Sequence, residues 1–489
     1  MLPTTMFASL MAFLASPAAA YIRFNCANHA VEERADPIVN PGAVAGHAHK
    51  IAGGNGFGFT MDYEQARASK CSSCPIKQDL SNYWTPKLYF QGGDGTFTSV
   101  PTVGDNAADL NGGMTVYYQQ RGPAAASKTL KAFPRDFRML AGDPFKRNFT
   151  GDFPAQAINF ACLGAGKPET NSLPDYNCPG GLRAQIYFPS CWDGKNYDSD
   201  NHRSHMSYPA SGAHDNGPCP KTHPVQLISL FYEVLYDTNS FASKWPTSSK
   251  NPFVFANGDA TGYGFHGDFV NGWDIDTLQA VTDTCTNDAA FGSTEKKDCP
   301  PIDKFTDDQQ NACKIPPQID EVVAGQLKAL PGCNPVTHGP EPASKNPSCD
   351  GQTTGAITTA ATYYTDITIT KGWSYVGCGS DGGSPRTLGD KSTQYMSGVS
   401  MTVEYCVDFC SGYKYAGLEY GTQCWCGNTL PTDRAPQAGI LGNCQMNCQG
   451  DDGEYCGGSW ALSIYKKCDS TSSCQNAQYG TVGNGTTKA

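Results

Sequence analysis

Short apolar runs separated by Gly, Pro, Asn and Asp dominate residues 21–334. The runs within 85–91, 114–120, 182–189 and 226–236 alternate with polar residues or are briefly continuous, and their length is typical of β-strands. Only residues 60–68 and 319–330 follow the spacing of a helix. The pattern therefore predicts a mainly β N-terminal domain over 21–334, a β-sandwich or jelly-roll-like body.

The pattern changes after residue 334. Residues 335–371 are rich in Pro and Thr and poor in large aliphatic residues, which predicts a linker. Within 372–467, Cys406 and Cys410 are spaced for one face of a helix, and Cys424 and Cys426 for one face of a strand. This predicts a small, disulfide-rich α+β module. Residues 468–489 are small and polar, which predicts a disordered tail.

The first twenty residues form an apolar run that ends in small residues, as a secretory signal peptide does. No later segment reaches the roughly 20 continuous apolar residues of a membrane helix, so we expect no membrane span. The 22 cysteines suit an oxidising compartment. Asn148 and Asn484 begin Asn-x-Thr triplets that are acceptors for glycosylation. The expected location is secreted, either extracellular or in a cell wall.

The charge argues against nucleic acid as a partner. The chain has 35 Lys and Arg against 46 Asp and Glu, a formal net charge of -11. A nucleic-acid surface needs a basic footprint. Neutral glycans are better suited to this composition.

The C-terminal module carries a specific cysteine pattern around the run Gly417-Leu418-Glu419-Tyr420 to Gln423-Cys424-Trp425-Cys426-Gly427. With its eight cysteines in register, this segment resembles the WSC domain. The resemblance implies a helix against an antiparallel sheet, held by disulfides, that binds cell-wall polysaccharide such as glucan. The aromatic residues suited to stack on sugar rings are Tyr413, Tyr415, Tyr420 and Trp425, with a core position for Trp425 as the alternative. The eight cysteines are Cys378, Cys406, Cys410, Cys424, Cys426, Cys444, Cys448 and Cys456.

Histidines concentrate in Gly-rich and polar segments of the N-terminal region. The run Gly46-His47-Ala48-His49 to Gly53-Gly54 and the later segments resemble a fungal secreted family of unknown function, whose GHxHxIxGG motif often precedes WSC modules. That resemblance implies no settled chemistry. The residues singled out as catalytic candidates are His47, His49, His202, His205, Tyr208, His223, His266 and Asp268.

Three chemistries fit these residues. In a polysaccharide lyase, His202 or His266 would be the base, Tyr208 the acid, and Arg203 would neutralise a uronate. In a glycoside hydrolase, the carboxylates to test are Asp193, Asp198 and Asp268. In a metal version, His47, His49 and His266 would bind a divalent ion; no other cofactor is indicated.

The alternative is structural, in which the histidines and Arg203 tie long loops together by hydrogen bonds. Two functions follow. One is a secreted cell-wall or polysaccharide-associated protein whose WSC-like module binds glycan while the N-terminal domain degrades or modifies it. The other is a non-catalytic wall-binding or structural glycoprotein. Convergence of His47, His49, His202 or His205, His223 and His266 in one pocket favours the first, and scattered histidines contradict it.

Overall fold

A computed structural model describes residues 21–103, 112–245, 251–285, 297–344, 355–358, 362–394, 400–470 and 474–477. The predicted signal peptide and Asn484 lie outside these ranges. The α-helices are α1 (Tyr63–Arg67), α2 (Gly122–Ala126), α3 (Phe153–Gln156), α4 (Ile275–Thr284), α5 (Asp307–Asn311) and α6 (Val403–Phe409). Short 3-10 helices span Asn239–Lys244 and Pro331–Cys333.

Strands predominate, which confirms the mainly β class. In the N-terminal part they are β1 (Tyr21–Asn25), β2 (Val31–Glu33), β3 (His49–Gly53), β4 (Asn82–Pro86), β5 (Leu88–Gln91), β6 (Phe97–Ser99), β7 (Thr102–Val103), β8 (Thr115–Gln119), β9 (Arg138–Gly142), β10 (Ile158–Cys162), β11 (Leu182–Tyr187), β12 (Cys191–Trp192), β13 (Met206–Ser207), β14 (Val225–Gln226), β15 (Ser229–Tyr236), β16 (Phe253–Phe255), β17 (His266–Val270) and β18 (Gln326–Leu327). In the C-terminal part they are β19 (Trp373–Ser380), β20 (Lys391–Gln394), β21 (Tyr415–Glu419), β22 (Gln423–Gly427) and β23 (Ala461–Lys467).

Two antiparallel sheets enclose the main core of the N-terminal domain. One has the order β1-β8-β15-β11-β10, with β7 beside β15; the other, called here the histidine sheet, has the order β2-β3-β4-β17-β9. Side chains from both sheets, such as Tyr118 and Tyr83, join one buried cluster. Their hydroxyl oxygens lie 2.9 Å apart across the sandwich. The sheets therefore pack face to face, as the sandwich prediction requires.

The opposite face of the histidine sheet has a core of its own. Ile51, Trp84, Leu140 and Val270 point to this face and are buried beneath the segments before β3 and around α1. Because side chains alternate along a strand, His49 shares this face with Ile51, and His266 shares it with Val270. The two histidines are thus on the loop-covered outer side of the sandwich.

The helix predictions had mixed outcomes. A helix near 60–68 is present as α1, where the Asp62 side chain caps the Gln65 amide. The helix predicted over 319–330 is wrong: those residues are extended or irregular and contain β18, which pairs with β6. Gly325 there has a φ of +74°, which a helix does not allow. Val323 and Leu330 are still buried, so the apolar spacing reflected a core contact.

The C-terminal module is one antiparallel sheet, β19-β23-β21-β22-β20, with α6 packed on it. Two disulfides, Cys406–Cys424 and Cys410–Cys426, join α6 to β22, as the spacing of these cysteines predicted. Cys378–Cys444 and Cys448–Cys456 complete the four bridges. The predicted α+β module is confirmed.

Long-range disulfides also hold the N-terminal domain. The neighbours Cys71 and Cys74 bond to Cys313 and Cys26, so they belong to two bridges and do not form a local loop staple. The other pairs with both partners described are Cys162–Cys178, Cys191–Cys219, Cys285–Cys299 and Cys468–Cys474.

Residues of the predicted linker and tail pack against their neighbours where they are described. Ile357 forms a bridge with Ile319, and Ile367 is buried in the core of the module. In the predicted tail, the Ala477 amide donates to the carbonyl of Tyr375 at 2.7 Å. The remainder of the tail lies outside the described residues, so its disorder stays a prediction.

Candidate functional site

Three of the predicted histidines meet at one end of the histidine sheet. His49 is the first residue of β3 and His266 the first of β17, the two strands that flank β4. His47 lies two residues before the start of β3. One ring nitrogen of each histidine lies within 4.8 Å of those of the other two. We call His47, His49 and His266 the histidine cluster.

The His266 ring lies edge to face with the other two rings, and the His47 and His49 rings are tilted at 58° to each other. The His47 ring centroid lies 4.3 Å from that of His49 and 4.9 Å from that of His266. The Nε2 atoms of His47 and His266 are 2.9 Å apart. His49 and His266 are buried, whereas His47 is half-buried and gives the cluster an open side.

Backbone carbonyls fix two of the rings. His49 Nδ1 lies 3.1 Å from the carbonyl oxygen of Ala35, and His266 Nδ1 lies 2.9 Å from that of Gly264. A carbonyl only accepts, so each Nδ1 carries the hydrogen, and each neutral ring keeps a lone pair on Nε2. Burial lowers the pKa of His49 and of His266 to about 3.

Glycines shape the backbone around the cluster. Gly142 ends β9 opposite His266 at a φ of +82°, and a Cβ placed on it would lie 2.9 Å from the Cα of His266. Gly53, the first of the motif's paired glycines, has a φ of +109°, and a Cβ there would lie 1.9 Å from the carbonyl oxygen of Ser81. Both positions require glycine sterically.

Charged residues surround the cluster. Asp268 follows His266 by two residues on the same face of β17, is buried, and has an Oδ2 without a hydrogen-bond partner. Burial raises the pKa of Asp268 well above its usual range; nearby Asp36 adds to the rise and Arg203 opposes it. The Arg203 Nε donates to the carbonyl of Gly142 at 3.0 Å, which places this cation beside His266.

A cavity of about 740 Å³ lies next to the cluster. Gly142 and Arg203 belong to its wall, together with Tyr208 and the cation Lys146. The predicted glycosylation acceptor Asn148 is exposed at its edge. The cavity is therefore large enough for a small ligand or a few sugar units. Its wall reaches the histidine cluster through Gly142, the strand partner of His266, and none of the three cluster histidines lines it.

The other predicted site residues bond backbone and hydroxyl groups of nearby strands and loops instead. His205 uses both ring nitrogens, at 2.8 Å from the carbonyl of Arg138 and 3.0 Å from Ser199 Oγ. His223 lies 3.0 Å from the carbonyl of Ser204 and 2.9 Å from Thr222 Oγ1. The Tyr208 hydroxyl donates to the carbonyl of Tyr187 at 2.8 Å, and burial raises its pKa. These contacts match the loop-tying alternative.

The remaining polar candidates also bond within their own loop. His202 Nδ1 donates to Asp198 Oδ1 at 2.8 Å. The Asp193 carboxylate accepts from the amides of Lys195 and Asn196 at 2.8 and 3.0 Å. The sequence placed all of these residues in polar segments, but spacing alone could not show which imidazoles turn toward one another.

The aromatic residues of the WSC-like module divide into core and surface. Trp425 is 6% exposed and packs with Leu388, so its expected stacking surface is wrong and the core alternative holds. Tyr413 packs on the α6 side of the sheet, whereas Tyr415 packs with the Trp425 cluster. These two tyrosines therefore lie on opposite sides of the sheet and do not form one stacking surface. Tyr420 is 48% exposed, as expected.

Trp460 is the exposed aromatic residue that the sequence reasoning missed. It is 56% exposed and precedes β23 in the run Gly457-Gly458-Ser459-Trp460. Together with Tyr420 it lines a depression of about 160 Å³. The two aromatic residues have φ values of +55° and +53°. Such backbone strain is uncommon for bulky residues and is enriched at functional sites.

The Arg386 guanidinium lies over both the buried Trp425 and the exposed Trp460. Its guanidinium lies 4.3 Å from the ring centroid of Trp425 and 5.1 Å from that of Trp460. Its Nη1 donates to Asp381 at 2.6 Å and to Glu419 at 3.0 Å. Burial, and then Asp381, raise the pKa of Glu419 to about 7. We call Arg386, Glu419, Tyr420, Gln423 and Trp460 the aromatic patch.

The fold and these two sites define a two-part protein: a β-sandwich with a histidine cluster, and a disulfide-bonded module with an aromatic patch. Residues 36–273 match the family model described as Domain of unknown function (DUF1996), and residues 375–458 match that of the WSC domain. The chain therefore carries a DUF1996 domain followed by a WSC domain, as both resemblances predicted.

Similar proteins share only part of the chain. Two WSC domain-containing proteins of Arthroderma benhamiae are 36% identical over 96 residues (19% of this chain, 10% of theirs) and 37% identical over 135 residues (25% and 18%). Kremen protein 2 of Mus musculus is 36% identical over 114 residues, 23% of each chain. The chain thus spans between 10% and 23% of the length of these relatives.

The WSC match supports carbohydrate binding by the C-terminal module. The many disulfides and the WSC domain fit an extracellular protein. Across the part of the chain that the structure describes, no helix has the length and apolar character needed to cross a membrane.

Proposed function

We propose that this is a secreted, cell-wall or polysaccharide-associated protein whose WSC domain binds glycan and whose DUF1996 domain modifies polysaccharide at the histidine cluster. The observation that carries the proposal is the convergence of His47, His49 and His266 beside the 740 Å³ cavity. Three buried or half-buried imidazoles whose ring nitrogens lie within 4.8 Å of one another exceed what a loop needs for anchoring.

The cavity favours an acidic substrate. Arg203 and Lys146 place two cations in its wall, and Asp143 places one anion there. A guanidinium beside the reactive imidazole is suited to neutralise the carboxylate of a uronate unit. Asp193 and Asp198 are held by loop amides, His202 and Arg138, so neither is a well-placed hydrolase carboxylate. Asp268, the third hydrolase candidate, is buried and is not part of the cavity wall. The position of Arg203 beside His266 therefore supports the lyase better of the two reactions, although the Tyr208 hydroxyl is held by the carbonyl of Tyr187.

The test is an activity screen of the secreted protein against glucans, xylan, chitin and uronans. New reducing ends would report cleavage, and absorbance of unsaturated uronates would report the lyase reaction. We expect activity on a uronan and a loss of at least ~100-fold in a His47→Ala, His266→Ala double variant. The matched control is His223→Ala, which removes a half-buried histidine that contacts Ser204 and should keep activity.

The second candidate is a non-catalytic wall-binding glycoprotein. It is supported by His205, His223 and Tyr208, whose side chains bond backbone carbonyls of nearby strands and loops. No product from any polysaccharide, or full activity in the double variant, would favour this function over the first.

Glycan binding by the WSC domain is assigned to the aromatic patch. The apolar faces of sugar rings stack on exposed aromatic planes, and Arg386, Glu419 and Gln423 offer hydrogen bonds at the edge. In pull-down of the whole chain on insoluble glucan or chitin, Trp460→Ala should weaken retention about 10-fold or more. Tyr197→Ala removes an aromatic residue of similar exposure, 48%, from the other domain and should bind normally.

A further inference from the structure

The histidine cluster has the donor arrangement of a metal centre. We propose that His47, His49 and His266 bind one divalent transition-metal ion of borderline softness, Zn²⁺ or Cu²⁺. This proposal deepens the function proposed for the DUF1996 domain, but its test does not depend on that function. It is carried by the contacts of the three rings.

The hydrogen bonds preorganise two of the ligands. His49 and His266 each donate Nδ1–H to a backbone carbonyl, Ala35 and Gly264, which turns the Nε2 lone pairs toward the cluster. A metal-bound histidine almost always makes such a contact with its other nitrogen, because it fixes the tautomer and the ring orientation.

An unpaired buried atom points to a missing ligand. His49 Nε2 has no hydrogen-bond partner in the described structure although the residue is 0% exposed. A buried polar atom left unpaired is destabilising. A metal ion bound to this lone pair would remove that cost.

The short contact between His47 and His266 identifies the proton that a metal would displace. Since His266 Nε2 holds a lone pair, the 2.9 Å contact requires His47 to donate from its own Nε2. When a metal binds both atoms, this proton leaves Nε2, and His47 carries its single hydrogen on Nδ1. The ion then replaces the hydrogen bond between the Nε2 atoms of His47 and His266.

The spacing is close to that of a metal site. With metal–nitrogen bonds of about 2.0–2.1 Å, neighbouring nitrogens of a tetrahedral site lie about 3.3–3.4 Å apart. The Nε2 atoms of His47 and His266 are 2.9 Å apart, and the ring nitrogens of all three histidines lie within 4.8 Å of one another. Ring shifts of about 1 Å therefore complete the geometry of a metal site. His47 precedes β3 and is half-buried, and it is the ring best able to move.

The donor type selects the metal. Three imidazole nitrogens suit Zn²⁺ and Cu²⁺, whereas Ca²⁺ and Mg²⁺ prefer oxygen ligands. The sulfurs of Cys406, Cys410 and Cys424 also lie close enough together to hold a metal ion. They are excluded as metal ligands because they form the disulfides Cys406–Cys424 and Cys410–Cys426. Three protein ligands leave a fourth position for water or substrate, as in catalytic sites.

The test is calorimetric titration of the full-length, chelator-treated protein with Zn²⁺ and with Cu²⁺, with Ca²⁺ and Mg²⁺ as comparison ions. We expect one ion per chain for at least one of the first two and none for the comparison ions. His47→Ala should weaken the affinity ~100-fold or more, and His266→Gln likewise. His223→Ala should leave it unchanged. Because His47 is half-buried outside a strand, its variant should fold, which circular dichroism would check.

Two results would overturn the proposal. One is the absence of stoichiometric Zn²⁺ or Cu²⁺ binding by the wild-type chain, and the other is unchanged affinity in folded His47→Ala. Electron paramagnetic resonance of the Cu²⁺ form should show nitrogen hyperfine coupling that His47→Ala alters; an unaltered spectrum would also refute the site. Metal binding without activity on any polysaccharide would support this inference and contradict the proposed function.

Discussion

Single residues show how buried polarity marks the sites of this protein. His49 Nε2 and Asp268 Oδ2 are both buried without a hydrogen-bond partner, and they lie on the same outer face of the histidine sheet. The sequence singled out His47, His49 and His266 because each stands in a Gly-rich segment that did not resemble core, whereas the fold buries His49 and His266. It could not predict Trp460, since the exposure of that ring depends on the turn before β23.

The raised pKa of Glu419 predicts how the free energy of unfolding depends on pH. Its pKa is raised to about 7 in the fold, against about 4.3 in an unfolded chain. Between these pH values the folded state keeps the proton that the unfolded state has lost, so this group makes stability fall as pH rises. Glu419→Gln should flatten that fall, as measured by urea unfolding at pH 4.5 and 7.

The control is Glu341→Gln, which changes an exposed carboxylate. It should keep the wild-type difference between the two pH values. If Glu419→Gln kept the wild-type difference in unfolding free energy between pH 4.5 and 7, the assignment of that difference to the Glu419 carboxyl would be contradicted.

At the scale of elements, the strands were the predictable part. The runs that alternate or are continuously apolar became β8, β11 and β15, because burial on a sheet face requires that spacing. The helix α4 was missed since only Leu278, Val281 and Thr282 of its ten residues are buried. The helix predicted at 319–330 failed because long-range contacts, including those with β6, outweighed a helical spacing interrupted by Gly325.

The disulfides that join α6 to β22 should dominate the stability of the WSC domain, whose core is small. Replacing Cys410 and Cys426 together by Ala opens a bridge with a separation of 16 residues and should cost about 3 kcal/mol. Hydrogen exchange of residues 403–427 should then rise strongly.

The matched control is the double replacement of Cys468 and Cys474, which are separated by only 6 residues. The shorter loop should cost about 2 kcal/mol. Equal protection of residues 403–427 in the Cys410, Cys426 variant and the wild type would contradict the stapling role.

On the scale of the whole molecule, a WSC domain that we propose to bind glycan and a candidate reactive domain share one chain. Binding by the aromatic patch would raise the local concentration of polymer near the histidine cluster. The sequence could predict both domains from their motifs, because cysteine and histidine spacing is local. It could not predict the cavity, which forms from β9, α3 and the segment around Arg203 only after folding.

This arrangement predicts a difference between substrates. Trp460→Ala should lower activity on an insoluble polysaccharide about 10-fold and leave activity on soluble oligosaccharides of the same linkage unchanged. Rates of product release on the two forms would measure this. Equal losses on both forms would show that Trp460 does not act by tethering.

The central claim is that His47, His49 and His266 form the functional centre of the DUF1996 domain as a metal site. The most direct measurement is an anomalous difference map from crystals of the full chain loaded with Zn²⁺ or Cu²⁺. The account predicts one strong peak among the three imidazoles, about 2.0–2.2 Å from a nitrogen of each. A map of a fully loaded crystal with peaks elsewhere and none at this position would contradict it.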